Sequence, residues 1–120
     1  MTTRTLYRPV GSAELSQIAA RGYRRFPPRL SDQAYFYPVR TRAYAEQIAR
    51  DWNARGSGPG YVARFEVSAE FLAGYQVRVV GARIHEEYWI PAEHLEDFND
   101  AIVGRIEIVA EFRNAESASA

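Results

Sequence analysis

Residues 41–67 read TRAYAEQIARDWNARGSGPGYVARFEV and contain the two clearest structural patterns of the chain. Thr41 is a favoured helix N-cap residue, and apolar side chains recur at helical spacing from Tyr44 to Trp52. The glycine-rich stretch 56–60 predicts a loop, and residues 61–67 then alternate as in a half-buried strand. An amphipathic helix followed by an alternating strand indicates a domain that combines both element types.

Before this stretch, the sequence predicts a strand, a helix and a second strand. Alternation over residues 5–10 indicates the first strand, Ser12 is placed to cap a helix, and Gly22 is placed to end it. Residues 26–29, FPPR, predict a rigid extended loop because proline fixes φ and removes a donor. Residues 35–39, YFYPV, then predict a short aromatic strand at a sheet edge.

After residue 67, five further short elements are expected. They are a turn or short helix near residues 68–72, strands near 77–80 and 88–90, a helix over 92–101 and a strand over 106–112. About six short strands with two or three interspersed helices, without a regular strand–helix–strand rhythm, favour an α+β fold.

Length and composition limit the chain to one domain and narrow its partners. At 120 residues there is room for a single core. We therefore expect one domain over residues 1–112 and a disordered tail over residues 113–120. All fifteen basic residues are arginine, and fifteen acidic residues balance them. Zero net charge argues against a nucleic-acid partner, which usually selects a positive field.

The absence of cysteine from the sequence excludes disulfides, thiol catalysis and thiolate metal sites. His85 and His94 are the two histidines, too few for a typical structural zinc site without cysteine, so no metal site is expected. No stretch approaches the roughly 18 apolar residues of a membrane span, and no early apolar run resembles a signal peptide. We therefore expect no membrane partner and a cytoplasmic location.

Three places combine polar and apolar residues in a way that could carry chemistry. The first is Arg8, which lies among apolar residues on the first strand and could aim its guanidinium at a phosphate or a ribose. The alternative is solvent exposure or a pair with a carboxylate. The second is the aromatic run 35–37 together with Tyr44 of the next helix. Tyr37 could stack on a flat heterocycle, whereas Phe36 is better explained as core.

The third place is residues 85–91, HEEYWIP, where two carboxylates enter an apolar strand. Alternation puts Glu87 on one face with Trp89, and Glu86 on the other face. A carboxylate at the mouth of an aromatic cleft could hydrogen-bond a ribose and stabilise an oxocarbenium-like transition state. The alternative is an acidic turn before an edge strand, with both carboxylates solvated.

The order of these three places resembles the ADP-ribosyltransferase fold. Members of that superfamily carry an Arg or His on the first strand, a Ser-Thr-Ser or Tyr element on a middle strand, and a glutamate before an apolar strand that ends at proline. The matching positions here are Arg8, Tyr37 (or Tyr44) and Glu87, with His85 at the first position of the motif that ends at this glutamate. From about residue 6 to residue 112, the chain also resembles a group of small bacterial proteins commonly labelled "ADP-ribosylation/crystallin J1".

The resemblance implies a split two-sheet fold that binds NAD, as a substrate, in the cleft between the sheets. Arg8 would hold the diphosphate or the adenine-side ribose, Tyr37 would stack on nicotinamide, and Glu87 would contact the nicotinamide ribose. ADP-ribose would pass to a protein, nucleic acid or small molecule as nicotinamide leaves. His85 stands where many members carry the Gln or Glu that orients the acceptor, so the acceptor stays open.

A fold does not fix a function, so two other interpretations stand beside this enzyme. One is a non-catalytic module that binds a nucleotide or a protein on the same fold. The other is a toxin or defence component that acts on a host molecule.

Overall fold

The computed structural model describes residues 2–56, 58–79 and 86–113. These residues form seven strands, four α-helices and one 3-10 turn, in the order β1 (Thr3–Gly11), α1 (Ser12–Ala20), β2 (Tyr35–Phe36), α2 (Arg42–Ala54), β3 (Gly60–Ser68), α3 (Ala69–Leu72), β4 (Val77–Val79), β5 (Glu86–Tyr88), β6 (Ile90–Pro91), the 3-10 turn (Ala92–His94), α4 (Leu95–Asp100) and β7 (Ile102–Phe112). The α+β class is confirmed. Within the described residues, no helix combines the length and the hydropathy that a membrane crossing requires.

The described strands are organised in three small sheets. The largest is antiparallel with the order β1-β3-β7, while β2 pairs with β6 and β4 pairs with β5. Val39 joins these parts, because it pairs with Tyr7 of β1 on one side and with Glu87 of β5 on the other. The N–H and the carbonyl of Val39 both bond to the backbone of Tyr7, each at 2.8 Å. β1 and the strand that carries Glu87 therefore lie on the two sides of one short segment.

The described part of the chain has more elements than the six strands and two or three helices predicted, and three sheets where two were expected. The pairing of residues 35–40 with residues 86–91 is split into short pieces because Pro38 has no N–H to donate. The Pro38 carbonyl still accepts the Tyr88 N–H at 2.9 Å, in the register of the β2–β6 pair. The turn or short helix expected near residues 68–72 is confirmed as α3, a single turn whose N-cap is the Ser68 hydroxyl.

Several element ends differ from those predicted: β1 already begins at Thr3, and the helix expected over residues 92–101 is a 3-10 turn followed by α4. Two further differences have a local cause, and one cap is confirmed. β1 runs directly into α1, so Gly11 is the N-cap, without a side-chain bond, and Ser12 is already helical. β7 begins at residue 102 rather than 106, because a bulge around Gly104, whose φ is 80°, breaks the alternation on which the prediction depended. The Thr41 cap of α2 is confirmed, since its hydroxyl accepts the Tyr44 N–H at 3.2 Å.

The hydrophobic core lies on both faces of the three-stranded sheet. On one face α2 packs against β1 and β3 through Ala45 and Ala49, which are fully buried. The other face carries four buried phenylalanines whose neighbouring ring centroids lie 4.9 to 6.0 Å apart: Phe26, Phe36, Phe65 and Phe98. Burying one such side chain stabilises the fold by about 1.5–3 kcal/mol.

A buried asparagine holds the loop before β2 against the core. Asn99 of α4 is 3% exposed; its Oδ1 accepts the Phe26 N–H at 2.9 Å, and its Nδ2 donates to the Phe26 carbonyl at 3.1 Å. Satisfied buried polar pairs of this kind are costly to break. The residues that follow, Pro27, Pro28 and Arg29, are therefore fixed at their start by two hydrogen bonds.

The C-terminal end of the described chain is the last strand and one further residue. β7 ends at Phe112, where the sequence placed the end of the domain. Of the predicted tail, only Arg113 is described; its guanidinium donates to the Glu111 carboxylate at 3.0 Å and to the Tyr61 hydroxyl at 3.3 Å. Residues 114–120 lie outside the described residues.

Gly60 provides a test of how closely α2 and β3 pack. A Cβ at Gly60 would overlap the carbonyl oxygen of Ala49. We expect Gly60→Ala to lower the free energy of unfolding by about 1–3 kcal/mol, measured by chemical denaturation, because helix and strand must separate. Gly74→Ala is the matched control, since its Cβ would make an ordinary 3.6 Å contact with the Phe71 carbonyl. Equal losses in the two variants would contradict this packing.

Candidate functional site

A cleft of about 400 Å³ lies beside the Tyr7–Val39 bridge. Three residues singled out from the sequence line it together: Arg8 from β1, Tyr37 from the segment after β2, and Glu87 from β5. Val39 and side chains of α2 form its apolar wall. The volume falls within the range of small-molecule sites. The fold thus collects into one cleft three side chains that are widely separated in the sequence.

Both carboxylate oxygens of Glu87 are held by hydrogen bonds inside the protein. Oε1 accepts the indole N–H of Trp89 at 2.9 Å, and Oε2 accepts the hydroxyl of Tyr44 at 3.3 Å. Glu87 is only 9% exposed, whereas the neighbouring Glu86 pairs with Arg40 at 2.7 Å. The predicted separation of the two carboxylates is therefore seen, with Glu87 and Trp89 on one face. A carboxylate has about four acceptor positions, so Glu87 retains capacity for a ligand donor.

Tyr44 acts on the cleft through Glu87. It lies in the first turn of α2, where its N–H is bonded to the Thr41 cap. Burial raises the pKa of the Tyr44 hydroxyl, and the negative charge of Glu87 and the hydrogen bond to it raise that pKa further. The hydroxyl therefore stays protonated at neutral pH and remains a donor to Glu87.

Arg8 is buried and forms a two-point ion pair with Glu14. Its Nε lies 2.6 Å and its Nη2 lies 2.9 Å from the two carboxylate oxygens of Glu14, and its guanidinium sits 4.5 Å from the centre of the Phe36 ring. Parallel bonds of this kind fix orientation as well as adding energy. The pair corresponds to the structural alternative considered for Arg8, yet the guanidinium still borders the cleft.

Arg29 is a second arginine of the cleft, and the sequence pattern did not single it out. Its Nε donates to the Tyr35 carbonyl at 3.0 Å. Burial lowers the pKa of the Arg29 guanidinium, and the positive charge of Arg8 lowers it further. The signal available in the sequence was its position, directly after Pro27 and Pro28, because a rigid loop can hold a charged side chain in place.

The aromatic residues of the cleft divide between wall and core. Tyr37 packs edge-on against Trp89 with ring centroids 5.5 Å apart, and Tyr35 lies equally close to Trp89. Phe36 points into the core and is 1% exposed, as expected. Trp52 differs from expectation, because it ends the apolar stripe of α2 but is 37% exposed and lines the cleft. Helical spacing placed Trp52 on the apolar face of α2, but spacing alone could not show that this end of the helix borders a cavity.

Two sequence predictions concern residues or ligands outside this geometry. His85 lies outside the described residues, so of the motif that runs from His85 to Glu87 in the resemblance only its end, Glu87, is placed in the cleft. Among the described residues, no three His, Cys, Asp or Glu side chains lie close enough to hold a metal ion. The second histidine, His94, is hydrogen-bonded through Nδ1 to the Tyr75 hydroxyl at 2.9 Å.

No protein-family model matches the chain, and comparisons with curated proteins and with solved structures find no match.

The pKa shift of Tyr44 gives a pH dependence that can be measured. Above the ordinary tyrosine pKa of about 10, the unfolded chain loses this proton while the folded protein still holds it, so stability falls as pH rises. We expect a smaller fall in Tyr44→Phe, measured by urea denaturation between neutral pH and pH values above that pKa. Glu87→Gln should reduce the fall only in part, because burial remains when the charge is removed. An unchanged pH dependence in Tyr44→Phe would contradict the assignment.

Proposed function

We propose that the protein binds NAD in this cleft and transfers its ADP-ribose group to an acceptor, with release of nicotinamide. The observation that carries the proposal is the shared cleft of Arg8, Tyr37 and Glu87, the positions at which the sequence resembles ADP-ribosyltransferases. The proposal includes the finer fold assignment, in which the β1-β3-β7 sheet and the strands around Glu87 are the two halves of a split fold of that class.

Glu87 is suited to the nicotinamide ribose because two hydrogen bonds hold its carboxylate in place at the cleft. As the bond between nicotinamide nitrogen and ribose C1′ breaks, its electron pair leaves with neutral nicotinamide and positive charge develops on the ribose. A carboxylate already oriented by Trp89 and Tyr44 stabilises that charge without reorganising. The acceptor then bonds to C1′ and releases one proton to solvent, which balances the reaction.

The aromatic wall suits a planar base. Tyr37 and Trp52 line the cleft together with Glu87, so a nicotinamide ring that enters beside the carboxylate meets aromatic side chains. Stacking on such rings contributes about 0.5–1.5 kcal/mol beyond the burial of apolar area. Tyr37 is itself packed against Trp89, which limits its rotation.

A non-catalytic nucleotide-binding module is the second candidate, and one feature of the site favours it. Arg8 and Glu87, the two charged members of the set, already have partners inside the protein, in Glu14 for the arginine and in Trp89 and Tyr44 for the carboxylate. A site satisfied in this way binds a ligand through its remaining donors and acceptors and leaves NAD intact.

The enzyme and the module differ in whether nicotinamide is released. We expect NAD to bind the full chain in a calorimetric titration and nicotinamide to appear in the same sample. Glu87→Gln should lower the release rate by at least about 10²-fold, because the charge that stabilises the ribose cation is lost. Glu86→Gln is the matched control, since Glu86 is paired with Arg40 and does not line the cleft.

Each outcome separates the candidates. Release that is lost in Glu87→Gln and kept in Glu86→Gln supports the enzyme. Binding without release, with or without added candidate acceptors, supports the module. Absence of binding at millimolar NAD contradicts both forms of the proposal.

A further inference from the structure

A second cavity, of about 440 Å³, adjoins the cleft on the side of α1. The two cavities have Glu14, Arg29 and Gln33 in common, so these residues form the boundary between them. The second cavity extends from this boundary to Arg21 at the end of α1. The proposed nicotinamide cleft is thus one half of a longer groove.

The boundary carries an excess of positive charge. Arg8 and Arg29 both border it, and Glu14 neutralises one of them through its two-point bond to Arg8. Repulsion from Arg8 contributes to the lowered pKa of Arg29, after burial as the larger cause. Among the described residues, Arg29 forms no ion pair, and its hydrogen bond to the Tyr35 carbonyl uses Nε. Its two terminal nitrogens remain as donors, and an anion between the two arginines would relieve their repulsion.

One wall of the second cavity is apolar and restrained, while polar side chains that include Gln17 and Arg21 line the rest. Pro27, Pro28 and Leu30 line it beside the Phe36 ring, and Leu30 is 68% exposed. The loop is held at one end by the two bonds between Asn99 and Phe26. At the other end Gln33 accepts the Leu30 N–H at 2.9 Å. A half-open slot with one apolar wall, behind a cationic boundary, suits a flat nucleoside attached to a phosphate.

We propose that Arg29 binds the diphosphate of the dinucleotide at this boundary, and that the cavity between α1 and Pro27–Leu30 holds the nucleoside on the far side of that diphosphate. This inference rests on the proposed function, because it assigns the nicotinamide half of the same molecule to the cleft with Glu87. A dinucleotide has two nucleosides joined by a diphosphate, and the groove has two cavities joined by a cationic boundary. Arg29 is therefore a binding residue for the anion, and Arg8 is the second positive charge beside it.

The test compares a probe that contains the diphosphate with one that lacks it. ADP-ribose and nicotinamide riboside are titrated separately into the full-length protein and into Arg29→Gln. We expect Arg29→Gln to weaken ADP-ribose binding by about tenfold or more, because a charge-assisted contact is lost. Nicotinamide riboside binding should be unchanged. Arg105→Gln removes the same charge from an exposed position of β7 that lines neither cavity, and should leave both affinities unchanged.

Two further measurements cover the case in which Arg29→Gln fails to fold. Arg29→Lys keeps the charge without the planar fork, and should bind ADP-ribose more weakly than the wild type. Inorganic pyrophosphate should displace ADP-ribose from the wild-type protein and leave nicotinamide riboside bound. A folded Arg29→Gln that binds ADP-ribose like the wild type overturns the inference. Failure of pyrophosphate to compete, or of ADP-ribose to bind at all, also overturns it.

The outcomes distinguish this inference from the proposed function. If nicotinamide is released from NAD and ADP-ribose affinity does not depend on Arg29, the diphosphate site is wrong and the enzyme stands. If ADP-ribose binding depends on Arg29 and nicotinamide is never released, the diphosphate site stands and the enzyme is wrong.

Discussion

Two backbone hydrogen bonds between Tyr7 and Val39 hold the segment after β2 against β1, the first strand of the three-stranded sheet. Val39 also pairs with Glu87, so the same short segment links β1, which carries Arg8, to the strand that carries the carboxylate. Pro38, directly before it, removes a donor and keeps the pairing short. The cleft opens beside this segment, because Tyr37 precedes Val39 by two residues and Glu87 pairs with Val39. The bridge therefore brings Arg8, Tyr37 and Glu87 together in one cleft.

The polar groups of the groove are arranged as a sequence of partly neutralised charges. Glu87 is held by two neutral donors, Arg8 is paired with Glu14, and Arg29 has a lowered pKa because of its burial and of Arg8. Such an arrangement keeps charges buried at moderate cost, because each retains a partner or access to water. It also leaves positive charge in the middle of the groove and negative charge at one end. That order matches a diphosphate in the middle and a ribose that becomes cationic at the end.

The sequence allowed the α+β class, the Thr41 cap and the amphipathic face of α2 to be predicted, because these depend on local spacing. The division of residues 35–40 and 86–91 into separate strand pairs was missed, because Pro38 interrupts a ladder whose partner is distant in the chain. Arg8, Tyr37 and Glu87 were singled out from local patterns and joined as one set by a resemblance, and their common cleft depends on the Val39 bridge. Arg29 was missed, since its one local signal, the two prolines before it, does not show which of the fifteen arginines lies beside Arg8.

The central claim, that NAD occupies the cleft with Glu87, is tested most directly by the two tryptophans of the chain. Trp52 lines the cleft, and the Trp89 indole N–H is bonded to Glu87. In a nitrogen–proton correlation NMR titration of the full chain with NAD, both indole signals should shift together and saturate at one Kd. If NAD leaves both indole signals in place, even at saturating concentration, the cleft is not its binding site.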